Sequence, residues 1–357
     1  MNKTPMQLTG EAGTDFWNDS CDLSQLKEAI ANGAVGATSN PVIVAQVAKG
    51  EIERWGTRID AIARESPEAG EVDVAWKLIE EMAGEASKLL LPVFNRTGGR
   101  KGRLSVQVNP VNFRSWRLML EQGMALSRTA PNLAIKAPCT EPGIKAMEEM
   151  TAKGVSVTAT VSFTVSQAVA SAEAIERGLD RAGAEGIDVT RMSPSVVIML
   201  GRVDDHLKSV LTQRRINIDP GYLEWAGIAV LKKLYAMFTS RGYRSRLLGA
   251  AYRNHMQWSE LVGGDLILTI PYKWWQQFNR ADSEVGPKID NPVDTKIVDG
   301  LRAAFPEFRE AYDDNALSPG EFVRYGATVN TLDQFMSGYY ELLTLVRSRM
   351  LAYPGKA

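Results

Sequence analysis

A lysine at the end of an apolar run has the most chemistry to offer in this 357-residue chain. Lys136 closes the segment Leu133-Ala134-Ile135-Lys136 and is followed by Ala137-Pro138. On a surface strand its stem would pack and its ammonium would reach water. Buried, its charged form is poorly solvated, so the neutral amine becomes accessible and can attack a ketone. The iminium so formed accepts the electron pair released when a neighbouring carbon–carbon bond breaks. Asp19, at the end of Phe16-Trp17-Asn18-Asp19, is either a turn or cap residue or the acid/base that takes a hydroxyl proton as that bond breaks. Gln107 and Thr160 are neutral; each alone is a structural hydrogen bonder, and together they could hold a water beside the lysine. Arg202 and Arg253 are ion-pair residues or a pair of forks for an anionic group on a substrate.

These residues need elements that bring them together. Strand-like segments run at 15–19, 34–40, 104–110, 133–138, 155–163, 193–200, 243–250 and 265–271. Helix-like stretches separate most of them. Asp22 with Gln25 opens one and Gly33 ends it. Asn40-Pro41 opens another, and 52–92 is helical with turn residues near 66–70. Further helices are read at about 114–127, 140–154 (capped by Thr140), 165–178 and 222–238, and the tail from about 295 reads as helices. About eight strands alternating with helices imply a parallel sheet with crossover helices. Eight repeats favour an α/β (β/α)₈ TIM barrel, with a doubly wound open sheet as the other solution. The chain is read as one barrel domain over residues 1–357, with extra helices at its C-terminus. In such a barrel the strand ends carry the chemistry. Asp19, Asn40, Gln107 with Asn109, Lys136, Thr158 with Thr160, Arg202 and Arg253 all fall there.

Composition narrows the partners. Apolar residues make up 45%, charged residues 23%, and the formal net charge is −1. That balance points away from nucleic acid and membrane surfaces and leaves small polar substrates open. Two cysteines (Cys21, Cys139) and two histidines (His206, His255) suit neither a disulfide framework nor a zinc site. The nucleotide-binding patterns GxGxxG and GxxxxGK[ST] are absent. No signal-peptide core opens the chain and no apolar run has membrane length, so a cytoplasmic protein is expected.

Six motifs taken in order resemble the transaldolase family: Asp19 on the first strand, G-A-T-S-N-P (36–41), I-K-A-P (135–138), T-A-T-V-S-F-T-V-S-Q-A (158–168), L-G-R-V-D-D (200–205) and G-A-A-Y-R-N (249–254). The resemblance runs from about residue 15 to 271 and fits the third strand more loosely. It implies a (β/α)₈ barrel with its Schiff-base lysine at Lys136, an acid/base at Asp19, a ketose-orienting residue at Asn40 and a water holder at Thr160. Arg202 and Arg253 would take the substrate phosphate, and no metal or organic cofactor would be required. The substrates would be a ketose with an anionic tail and an aldehyde acceptor, and a homo-oligomer is compatible with the reading.

The departures bear on the reaction. Gln107 stands where the transaldolase branch has Glu and the fructose 6-phosphate aldolase branch has Gln. Thr158 stands where transaldolases have Asn, and Met199 where they have an aromatic. Two hydroxyls near the phosphate are lost, at Val197 and Ala251. Transfer of a three-carbon ketol unit is the expectation. The alternatives are aldol cleavage releasing dihydroxyacetone, or a sugar-binding barrel without turnover. Trp274-Trp275 is read as core, with an interface or a sugar-stacking wall as alternatives.

Overall fold

The computed structural model describes residues 3–281 and 284–352. Its strands are β1 (Asp15–Asn18), β2 (Gly36–Thr38), β3 (Arg103–Gln107), β4 (Leu133–Pro138), β5 (Val157–Thr160), β6 (Ser195–Met199), β7 (Arg246–Ala250) and β8 (Ile267–Ile270). All pair in parallel and in chain order. β8 returns to β1, with Asp15 opposite Ile267 and Asn18 opposite Ile270, so the sheet closes. The fold is therefore the (β/α)₈ barrel, and the open-sheet alternative is excluded.

Local chemistry explains the crossovers. Asp22 caps helix Leu23–Ala31, its carboxylate accepting from the Gln25 amide at 2.8 Å. Asn40 caps helix Pro41–Gly50, accepting from the Ile43 amide at 3.0 Å, with Pro41 in the first turn. Thr140 caps helix Glu141–Ala152 in the same way. The long helical stretch resolves into Ile52–Glu65 and Glu71–Arg96, broken where the turn residues lie. Helices Pro5–Glu11, Leu200–Arg214 and Tyr272–Arg280 were not read from the sequence, although in the second Leu200, Val203, Leu207 and Val210 stand at helical spacing and are buried.

The barrel interior is packed in layers. Trp17 fills one of them, and Gly36 on the next strand makes room: a β-carbon there would lie 2.3 Å from the indole. A row of hydroxyls crosses the interior, with Ser105 and Thr158 at 2.8 Å and Ser195 donating to Thr158 at 3.2 Å. At the N-terminal end of the strands Asp15 binds Lys101 (2.7 Å) and Arg246 (2.8 Å). The tail forms helices Thr295–Ala304, Pro306–Tyr312 and Gly326–Ala352, as read from sequence. The last packs against Pro41–Gly50. Among the described residues no helix is long and apolar enough to cross a membrane.

Candidate active site

A cavity of about 620 Å³ opens at the C-terminal ends of the strands. Lys136 and Thr160 contribute from β4 and β5, Asp19 and Thr38 from the ends of β1 and β2, and Arg202 and Arg253 follow β6 and β7. Asn40 lines it as well while its side-chain oxygen caps the adjoining helix. Six of the nine strand-end residues singled out from sequence thus meet in one space. Gln107, Asn109 and Thr158 do not line it.

Lys136 is 6% exposed, and its Nζ donates to the carbonyl oxygen of Ser39 at 3.0 Å. Burial lowers its pKa to about 8, against a raising contribution from the Asp19 charge. At pH 7 roughly one amine in ten is then neutral, where an ordinary lysine would offer roughly one in three thousand. Asp19 is the complementary case. Burial raises its pKa, while Lys136, the Thr38 hydroxyl and Arg202 lower it. Thr38 donates to the Asp19 carboxylate at 2.6 Å and lies 2.6 Å from the Thr269 hydroxyl. An amine with access to its neutral form stands with a fixed carboxylate, as an amine nucleophile and a proton carrier require.

Arg202 and Arg253 are brought together by Gly201. Its amide donates to the Ala251 carbonyl at 2.9 Å, and a β-carbon would fall 2.2 Å from that oxygen and 2.6 Å from Arg253 Cγ. Burial and the Arg253 charge both lower the Arg202 pKa, so two like charges face one region. An anion there would relieve the repulsion and use both forks. Arg253 is half tied: Asp205 accepts from its Nε and Nη2, the latter at 2.7 Å. The other aspartate of the motif turns inward. Asp204 accepts from the Gly227 amide (2.9 Å) and from Gln257 (2.6 Å), whose own oxygen accepts from the Arg253 amide at 2.5 Å. The backbone beneath Arg253 is therefore fixed by a buried carboxylate.

Two residues directly past strand ends are held in left-handed backbone conformations: Val161 (φ 55°), after Thr160 of β5, and Ala251 (φ 65°), after Ala250 of β7. A β-branched residue there is strained by about 1–3 kcal/mol, and such strain concentrates at functional sites. Gln167 braces the first, donating to the Val161 carbonyl at 3.3 Å and accepting from the Phe163 amide at 3.0 Å.

Thr158 sits in the hydroxyl row inside the barrel, fully buried and bonded to Ser105 and Ser195. Gln107 stands beside Lys136 in register, buried, with its Oε1 lacking a hydrogen-bond partner. The tryptophan pair divides. Trp275 is core, its Nε1 donating to Asn18 at 3.0 Å, whereas Trp274 lines the cavity. Sequence reading missed Tyr252 and Phe335, both cavity residues. The Tyr252 hydroxyl is buried without a partner, and burial with the nearby Asp19 charge holds its pKa well above the ordinary value. Its one sequence signal is its place directly before Arg253 in the seventh-strand motif.

Fold and cavity together define a (β/α)₈ barrel with a buried lysine and carboxylate at the strand ends. The chain belongs to the transaldolase/fructose-6-phosphate aldolase family, whose model matches residues 16–314. It is similar to a transaldolase of Thiobacillus denitrificans, 26% identical, covering 94% of this chain and 97% of that one. It is also similar to transaldolase 1 of Streptomyces avermitilis, 29% identical over 88% of this chain and 92% of the relative.

Proposed function

We propose that this protein is a transaldolase that moves a three-carbon ketol unit from a phosphorylated ketose to an aldehyde acceptor through a Schiff base on Lys136. The observation that carries the reading is the buried Lys136 sharing one cavity with Asp19 and two arginines. The neutral amine adds to the donor ketone, and loss of water leaves an iminium. Asp19 takes the proton from the hydroxyl β to the iminium carbon, the carbon–carbon bond breaks, and the electron pair moves into the iminium as an enamine. The aldehyde fragment leaves, the acceptor aldehyde enters, and the same steps run backwards. Asn40 orients the ketose hydroxyls, Thr160 holds the water used and released at the lysine, and Arg202 with Arg253 binds the phosphate.

A second reading, aldol cleavage, is favoured by one observation. Gln107 beside Lys136 can orient a water but cannot carry its proton, so traffic falls on Asp19. Product analysis separates the two. With a transaldolase, donor consumption depends on an acceptor aldehyde and free dihydroxyacetone is a minor product. Fast cleavage without acceptor, unaffected by adding one, makes the protein an aldolase. A barrel that binds sugar without turnover would show neither.

A further inference from the structure

Arg202 is held from behind by a segment far away in the chain. Its Nη1 donates to the Thr331 hydroxyl at 3.3 Å, and its guanidinium carbon stands 5.8 Å from the centre of the Phe335 ring. Its Nε is buried and has no hydrogen-bond partner. Thr331 and Phe335 lie one turn apart on helix Gly326–Ala352, so they share a face. Thr328, one turn earlier, accepts from Gln167 at 3.3 Å, which ties the start of that helix to the first turn of helix Val165–Ala184. Thr331 is 1% exposed and Phe335 lines the cavity.

An arginine side chain has many rotamers, and its fork binds an oxyanion well only when one edge faces the ligand. A hydroxyl that accepts one N–H and a ring that covers the guanidinium remove most of that freedom before substrate arrives. The unpartnered Nε is left for a ligand, because a buried N–H without an acceptor is costly. The hydroxyl positions at Val197 and Ala251 are empty of hydroxyls, so little else on the strands could supplement the arginines.

We propose that helix Gly326–Ala352 completes the anion subsite, with Thr331 the positioning residue that aims Arg202 at the substrate's phosphate and Phe335 the wall that confines it. This rests on the reading that Arg202 and Arg253 take that phosphate. The helix thereby sets the preference for a phosphorylated over an unphosphorylated ketose.

The test compares fructose 6-phosphate with fructose as donors to one acceptor. Thr331→Val keeps the shape and removes the hydroxyl. The kcat/KM ratio of phosphorylated to unphosphorylated donor falls about tenfold, mostly through KM for the phosphorylated one, as expected for a lost hydrogen bond to a charged group. Thr331→Ser restores most of the ratio, because the acceptor oxygen returns. Thr331→Ala gives the same result as Val and serves should valine crowd the site. Inhibition by inorganic phosphate weakens in parallel. A uniform loss on both donors, with the ratio unmoved, overturns the proposal. Arg202→Ala distinguishes the levels. If it collapses the ratio while Thr331→Val does not, the positioning role is wrong and the phosphate reading stands. If Arg202→Ala leaves the ratio unmoved, both are wrong.

Discussion

The Nζ of Lys136 lies 3.0 Å from the carbonyl oxygen of Ser39, the residue directly after the Thr38 whose hydroxyl holds Asp19. The end of β2 therefore positions both members of the proposed acid/base and nucleophile pair. It also places the amine against an uncharged acceptor, which leaves Asp19 as the charge that sustains the ammonium.

The first prediction follows from that coupling. Lys136 must be neutral to attack, and its pKa is lowered to about 8. Schiff-base formation, followed as inactivation by ketose and cyanoborohydride, should rise with pH below about 8 and level off above it. The Asp19 charge raises the Lys136 pKa, so Asp19→Asn shifts the rising limb to lower pH. The same variant still forms the adduct but loses at least ~10²-fold in turnover, the scale of a missing general acid/base. A limb that stays in place, or near-normal turnover, refutes the assignment. The lowered pKa also has a stability sign. Between about 8 and 10.5 the unfolded chain binds the proton that the folded one has released, so Lys136 makes stability rise with pH across that window.

Anion recognition gives the second. Arg202→Ala and Arg253→Ala should each raise KM for a phosphorylated donor by roughly 10–100-fold while lowering kcat much less, the pattern of uniform binding loss. Initial-rate kinetics check it. Equal activity of the unaltered protein on phosphorylated and neutral ketoses would count against an anion site.

Much of this was legible along the chain. Segment 133–138 appears as β4 with the same limits, because a strand buried on both faces of a parallel sheet reads as a short continuous apolar run. Asp19, Lys136, Thr160, Arg202 and Arg253 were legible as strand-end residues, since strand ends supply a barrel's cavity. What could not be read depends on partners distant in sequence. Thr158 and Thr160 are two apart on one strand and share a face, so their spacing did not tell that only Thr160 reaches the cavity. Trp274 and Trp275 are neighbours, and only the Asn18 acceptor decides which is buried. Phe335 lies on a helix whose register over the barrel no local pattern states.

Tyr252 carries the third prediction. A buried hydroxyl without a partner costs about 1–3 kcal/mol, and Tyr252 lines the cavity proposed to take the sugar. Tyr252→Phe should leave the protein as stable as before or more so in thermal unfolding, while kcat falls roughly tenfold or more. Loss of stability with full activity would assign the oxygen a structural role instead.

Gln107 carries the fourth. If it orients the water at Lys136, Gln107→Glu adds a titrating group there and changes the shape of the turnover–pH profile. The acid limb should gain a second ionisation. An unaltered profile means that Gln107 does not touch that water, and its unpartnered oxygen then needs another explanation.

The claim on which everything else depends is the covalent one. Incubation with fructose 6-phosphate and borohydride, followed by intact mass and peptide mapping, tests it in a single measurement. One reduced three-carbon adduct per chain is expected, on Lys136, abolished in Lys136→Ala. An adduct on a different lysine, or trapping that persists in Lys136→Ala, contradicts it.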